Sequence, residues 1–283
     1  MYSNRGFLGG SQRGVRWTVL CLLIIGGLIS ISFALNDKSS PVVSQGVSKA
    51  HVSVEDPRPL AKAIEVLEGR YGWAITYEDP RYVHTSEISD VTERVRKNPD
   101  EFKPGEGPRI LIPKGGALAF DYDVSSDTNL PSYRETVVQE LLDAYAGSGN
   151  AGTFRLESGG RIMHIIPTAI KNTNGELMPQ NSILETRISL TAEPRTGLQK
   201  LESICSAITL ATDIPVKVGM VPTNLLLQHV DSQGAEHQRA RDVLTDLLES
   251  AAGGANLSWQ LFYGPDVKYY ALNIHQVLTQ RNS

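Results

Sequence analysis

Val52-Ser53-Val54-Glu55, followed by Asp56-Pro57-Arg58-Pro59 and a run with Leu60, Ile64, Leu67 and Tyr71 on one face, decides how this chain is read, because the same design is met again later. There it reads Ile188-Ser189-Leu190-Thr191, then Glu193-Pro194-Arg195-Thr196, then Leu198, Leu201, Cys205 and Ile208. Alternation of period two is the mark of a half-buried strand, and apolar spacings of three and four mark a helix. Each helix runs into a second alternating strand, Trp73 to Tyr77 in the first case and Ile214 to Val218 in the second. Further on, Val138, Leu141, Leu142 and Tyr145 answer to Val243, Leu244, Leu247, Leu248 and Ala251, and each set is followed by a glycine-rich turn and two strands. The expectation is an α+β fold of two tandem small domains, each with two helices packed on a small mixed sheet.

Local signals divide the 283 residues. Residues 1–16 are a basic N-terminus, 17–35 a hydrophobic segment and 36–50 a tether rich in Ser, Pro, Val and Gly. The first domain spans 51–168 with an insertion at 79–116 that holds the charged helical run Val91 to Lys97 and an apolar strand at Ile110 to Ile112. A linker at 169–182 carries Asn174-Gly175 and Pro179; the second domain spans 183–276, and 277–283 is a tail. Ser132 to Glu135 and Thr196 to Gln199 both have capping-box spacing.

Trp17 to Leu35 is 19 residues without a charge. At about 1.5 Å per helical residue it spans a hydrocarbon core of roughly 30 Å. Arg5, Arg13 and Arg16 precede it, which puts the N-terminus on the cytoplasmic side and everything from residue 36 on the exported side. The segment reads as a single-pass anchor, with a signal peptide cut after Ser32-Phe33-Ala34 as the alternative, leaving a periplasmic or secreted protein. Because those three arginines come before the first acidic residue, Asp37, the remainder is mildly acidic, with no basic stripe to hold nucleic acid phosphates.

Signals for chemistry are few. Gly147-Ser148-Gly149-Asn150-Ala151-Gly152 spells GxGxxG, but it ends a helix and begins a strand, the reverse of a dinucleotide loop. Six histidines, at 51, 84, 164, 229, 237 and 275, show no ligand spacing, so no metal or other cofactor is expected. Asp121 and Asp123 alternate with Phe120 and Tyr122, which puts both carboxylates on one strand face, where paired acids can do general acid/base work but exposed strand faces more often carry them idly. Cys205 reads as buried and inert. The aromatic residues gather on strands, and Tyr77, Tyr82, Tyr122, Tyr263 and Tyr269 are the candidate partner-binding residues, since open strand faces and edges are where proteins add a partner's strand.

A short strand, a proline-containing turn, Leu60-Ala61-Lys62-Ala63-Ile64, Tyr71-Gly72 and an alternating strand resemble the secretin and TonB N-terminus short domain. So does the later run Ala240-Arg241-Asp242-Val243-Leu244 through Leu247-Leu248, a glycine turn, Leu257-Ser258-Trp259 and the strand Tyr269 to Ile274. The resemblance implies small periplasmic α+β domains that dock or relay proteins, here as two divergent copies without the barrel or secretin ring that usually follows. The expectation is a membrane-tethered or exported non-enzymatic protein-binding or scaffold module of the bacterial envelope, whose partner is another envelope protein. The alternatives are an envelope hydrolase using acids on the insertion or around Asp121 and Asp123, and a carrier of a small apolar ligand between the domains.

Overall fold

The structure, a computed structural model, describes residues 42–45, 49–96 and 107–279, the first four by their backbone alone. The hydrophobic run Trp17 to Leu35 and the tail beyond Thr279 lie outside the described residues. Among the described residues no helix is long and apolar enough to cross a membrane.

Strands β1 (Val42–Gln45) and β2 (Lys49–Asp56) lead into helix α1 (Pro59–Tyr71) and strand β3 (Ala74–Glu78). An excursion follows, with a 3-10 turn at Thr85–Glu87, β4 (Ile88–Asp90), α2 (Thr92–Val95) and β5 (Leu111–Pro113). The chain continues through β6 (Gly116–Asp123), α3 (Pro131–Gly147), β7 (Thr153–Gly159), β8 (Ile162–Lys171), β9 (Leu177–Pro179) and a 3-10 turn at Ile183–Glu185. The later part comprises β10 (Arg187–Leu190), β11 (Arg195–Thr196), α4 (Gly197–Thr212), β12 (Val216–Val218) and α5 (Thr223–Gln228). It ends with β13 (Val230–Asp231), β14 (Ala235–Arg239), α6 (Ala240–Ala251), β15 (Asn256–Gly264) and β16 (Tyr269–Val277). This is a mixed α+β protein with six α-helices and several sheets among the described residues.

Pairing follows the same rules in both parts. β2 pairs antiparallel with β6, and β10 with β14. β3 pairs parallel with β8, and β12 with β16. β7 and β8 form an antiparallel hairpin, as do β15 and β16. The two parts are nevertheless not separate sheets: β15 pairs parallel with β3, placing Gln260 beside Tyr77 and Leu261 beside Glu78, so one sheet runs β12-β16-β15-β3-β8-β7.

Matched residues of a parallel pair share a face. Tyr77 packs into the core of α1 and α3, whereas Leu261, one residue on from Gln260, packs into the core of α4 and α6. The two helix pairs therefore cover opposite faces of the common sheet. The apolar positions read from sequence fill these cores: Leu60, Ile64, Leu67, Val138 and Leu141 in one, Leu201, Cys205, Ile208, Leu244 and Leu247 in the other.

Helix starts differ in their chemistry. Thr196 and Gln199 form the expected capping box at α4. Ser132 and Glu135 do not, because α3 starts earlier, with Leu130 at the cap and Pro131, whose ring-fixed φ suits the first helical position; Glu135 instead accepts a hydrogen bond from the Ser158 hydroxyl (2.6 Å). The stretch at 169–182 is folded: Ala169 to Lys171 pair with Leu177 to Pro179 as a hairpin on β8. Val42–Gln45, within the span read as a tether, pairs along β2.

Candidate docking edge and the clasp that supports it

The five tyrosines singled out from sequence are not brought together on a surface. Tyr77, Tyr82, Tyr122 and Tyr263 are buried, and only Tyr269 is half-exposed, with the Lys217 ammonium 4.3 Å from its ring centroid. Strand alternation alone cannot separate a covered face from an open one, and here Tyr77 lies under α1 and α3 on one face of the large sheet while Tyr263 lies under α4 and α6 on the other. Asp121 and Asp123 are exposed on the outer face of β6 while Phe120 and Tyr122 point inward. Asp121 meets the His51 ring nitrogen Nδ1 at 2.7 Å. The glycine string ends α3 and precedes β7, with Gly149 and Gly152 at positive φ. Cys205 is buried, which pushes its thiol up to about 12. Among the described residues no three His, Cys, Asp or Glu side chains gather at metal-binding range.

A constellation that sequence reading passed over joins the two parts of the sheet. Asp79, buried at the end of β3, receives Arg58 Nε (2.7 Å), the Tyr263 backbone N–H (2.9 Å), and the hydroxyls of Tyr77 (2.9 Å) and Tyr82 (3.3 Å). Its own N–H donates to the Leu261 carbonyl (2.8 Å), and Arg58 Nη2 donates to the Tyr263 carbonyl (2.9 Å). The Arg58 guanidinium lies 4.5 Å from the Phe262 ring centroid. Burial pushes the Asp79 carboxyl above its usual range, against the pull of Arg58 and the donors around it.

Next door, Glu78 receives Arg241 Nε from α6 (2.9 Å) and the Ser182 hydroxyl, and Arg241 Nη1 continues to Glu185 (2.5 Å). These charges are buried with their hydrogen bonds met, so they fix geometry more than they add stability. The visible signals were the Asp56-Pro57-Arg58-Pro59 and Asp79-Pro80 turns, which read as punctuation because the partner of each lies more than 180 residues away at Tyr263.

Two further features face solvent. An open groove of about 580 Å³ lies between α1 and the uncovered face of β15 and β16, walled by Met220, Val221, Phe262 and Leu278 with Glu65 and Glu68 on the α1 side. There His275 Nε2 meets Glu68 Oε2 at 2.7 Å. Burial works against charge on His275, but the hydrogen bond to Glu68 and the fields of Glu68 and Glu65 prevail and hold the imidazole above its ordinary value.

The second feature is β7. Its one ladder partner among the described residues is β8, so it forms the margin of the large sheet. Beside it α3 leaves a groove of about 500 Å³ lined by Ser132, Glu135, Thr136, Gln139, Leu156 and Ser158. An edge strand next to a helix-walled groove offers a ladder of backbone groups and a slot for alternate side chains of an added strand.

Fold and site together describe a mixed α+β protein with a hydrogen-bonded central junction and an open sheet margin. Comparison of the chain with protein-family models, with curated proteins and with solved structures finds no match in any of the three.

Proposed function

We propose that this chain is a non-enzymatic protein-binding module of the bacterial envelope. Its folded part is two tandem copies of a small α+β domain resembling the secretin and TonB N-terminus short domain, held on the exported side by the segment 17–35. The observation that carries the reading is the β7 margin with its α3 groove, which supplies a place for an extended segment of a partner. The clasp around Asp79 and Glu78 would hold that margin in fixed register with the rest of the sheet.

A photo-crosslinking amino acid at exposed Ser158 tests it in intact membranes. A specific protein adduct is expected, and Thr136→Trp, which fills the groove without entering the core, should remove most of it. If Ser158 yields no adduct, while the protein turns over an envelope-derived substrate and loses that turnover on Asp121→Ala or Asp123→Ala, the module is an enzyme instead.

The groove over β15 and β16 favours a second reading, a carrier of a small apolar ligand, because its size lies in the range of ligand pockets and apolar side chains wall it. An apolar fluorescent probe should bind there and be displaced by Val221→Trp. Binding that is unaffected by that substitution would locate the probe elsewhere.

A further inference from the structure

The junction inside the molecule is a template for one between molecules. Across the sheet, Tyr77 is matched to Ile165 and Ile165 to Leu156. In the later part Val218 is matched to Leu272 and Leu272 to Leu261 in the same way. β12 therefore stands to β16 and β15 as β3 stands to β8 and β7. The lateral order is the same three roles twice over, β12-β16-β15 and then β3-β8-β7, and the seam between them joins a strand in the third role, β15, to one in the first role, β3. At the two margins of the sheet stand the counterparts of those seam strands, β7 in the third role and β12 in the first. Neither has a second ladder partner among the described residues.

Exposed side chains occupy the positions that the seam covers. Glu68 Oε1 accepts from the Ile75 N–H at the start of β3, and Thr209 Oγ1 accepts from the Val216 N–H at the start of β12, so these two helix positions correspond. The next residue on α1 is Gly69, which lines the groove beside the seam; the next on α4 is Leu210, 87% exposed. Leu261 in β15 is fully buried under the seam, whereas its counterpart Leu156 in β7 is half-exposed in the α3 groove. Asp79 at the end of β3 meets the Tyr263 backbone; in those roles at the margins stand Met220, 60% exposed at its side chain with its N–H donating to Asn273 Oδ1 (2.9 Å), and Ser158, also exposed.

We propose that the segment docked on β7 is β12 of a second copy of this chain, added head to tail in parallel register with Arg155 beside Val218, as Gln260 lies beside Tyr77. This rests on reading β7 as a docking edge and names its partner. The contact is heterologous: each copy offers β7 on one side and β12 on the other, so copies extend into a filament or close into a ring according to the twist between them. Leu210 of the incoming copy would cover the aliphatic stem of Arg155 on the face opposite α3, as α1 covers Gln260 within the molecule.

Cysteine pairing in the full-length chain in its membrane, with Cys21 replaced by serine, tests the proposal. A short thiol-to-thiol cross-linker should join Ser158→Cys chains to Met220→Cys chains when the two are mixed, and neither single variant should cross-link to itself. The double variant should give a ladder of dimers, trimers and larger species, and Leu210→Asp, at a surface position, should abolish it. Cross-linking of either single variant to itself would mean a two-fold contact and overturn the proposal. No product from the mixture would overturn it too. In that case a Ser158 photo-adduct with a different protein would leave β7 a docking edge for another partner, and no adduct would remove the edge reading as well.

Discussion

Asp79→Ala would leave the half-buried Arg58 without its counter-charge and the Tyr263 N–H without an acceptor, and removal of one partner from such a pair costs up to about 3–5 kcal/mol. Denaturant unfolding of the variant should show a loss of that size, far above the effect of Asp121→Ala on the exposed face of β6. His164 gives a pH signature. Its ring is buried, tilted against Trp259 with centroids 5.1 Å apart and hydrogen-bonded to the Thr76 hydroxyl at 2.9 Å. Burial, with Arg241 nearby, lowers it to about 4 from 6.5. Between those values the unfolded chain binds the proton and the folded one does not, so stability falls as pH drops from about 6.5 towards 4, by about 2–3 kcal/mol for this group. The difference in stability between the wild type and His164→Gln should carry that pH dependence. His275 has the opposite sign: its raised value adds stability below about pH 6.5 that is lost as pH rises through the folded value.

At the scale of elements, Leu141 in α3 and Leu247 in α6 are both fully buried, and alanine at either should cost about 2–5 kcal/mol. Thr196→Ala removes the α4 capping box and should cost about 1 kcal/mol, while Ser132→Ala, whose hydroxyl caps nothing, should cost little. The positions of α1, α3, α4 and α6 were legible in the sequence because a helix on a sheet must bury one stripe, and the stripes at Leu60–Ile64–Leu67 and Leu244–Leu247–Leu248 are unbroken. The longer strands beside these helices were legible from their alternation, whereas the short β11 and β13 and the strand β14 before α6 were not. Which strand faces stay open was not: Tyr77 and Tyr263 alternate as an exposed-face residue would, yet each lies under a helix pair on its own side of the shared sheet. The pairing of β15 with β3 left no local trace, since it depends on residues such as Gln260 and Tyr77 that are distant in the chain and unremarkable in it.

At the scale of the whole molecule, a sheet shared by both parts and a buried clasp at its seam make the halves mechanically one. Leu141→Ala and Leu247→Ala should therefore each shift a single unfolding transition, where independently folding halves would show two transitions with one displaced. The central claim is that the parts with the same strand and helix order are fused edge to edge at β15 and β3, leaving β7 and β12 as the margins. Amide hydrogen exchange of the full-length protein tests this most directly. The amides at the seam, Asp79 above all, should be protected to the level of the two cores, because opening them requires disrupting both. Exchange at the Asp79 amide that is fast while Ile165 and Leu272 remain protected would mean that the halves part without unfolding, and that the common sheet does not hold.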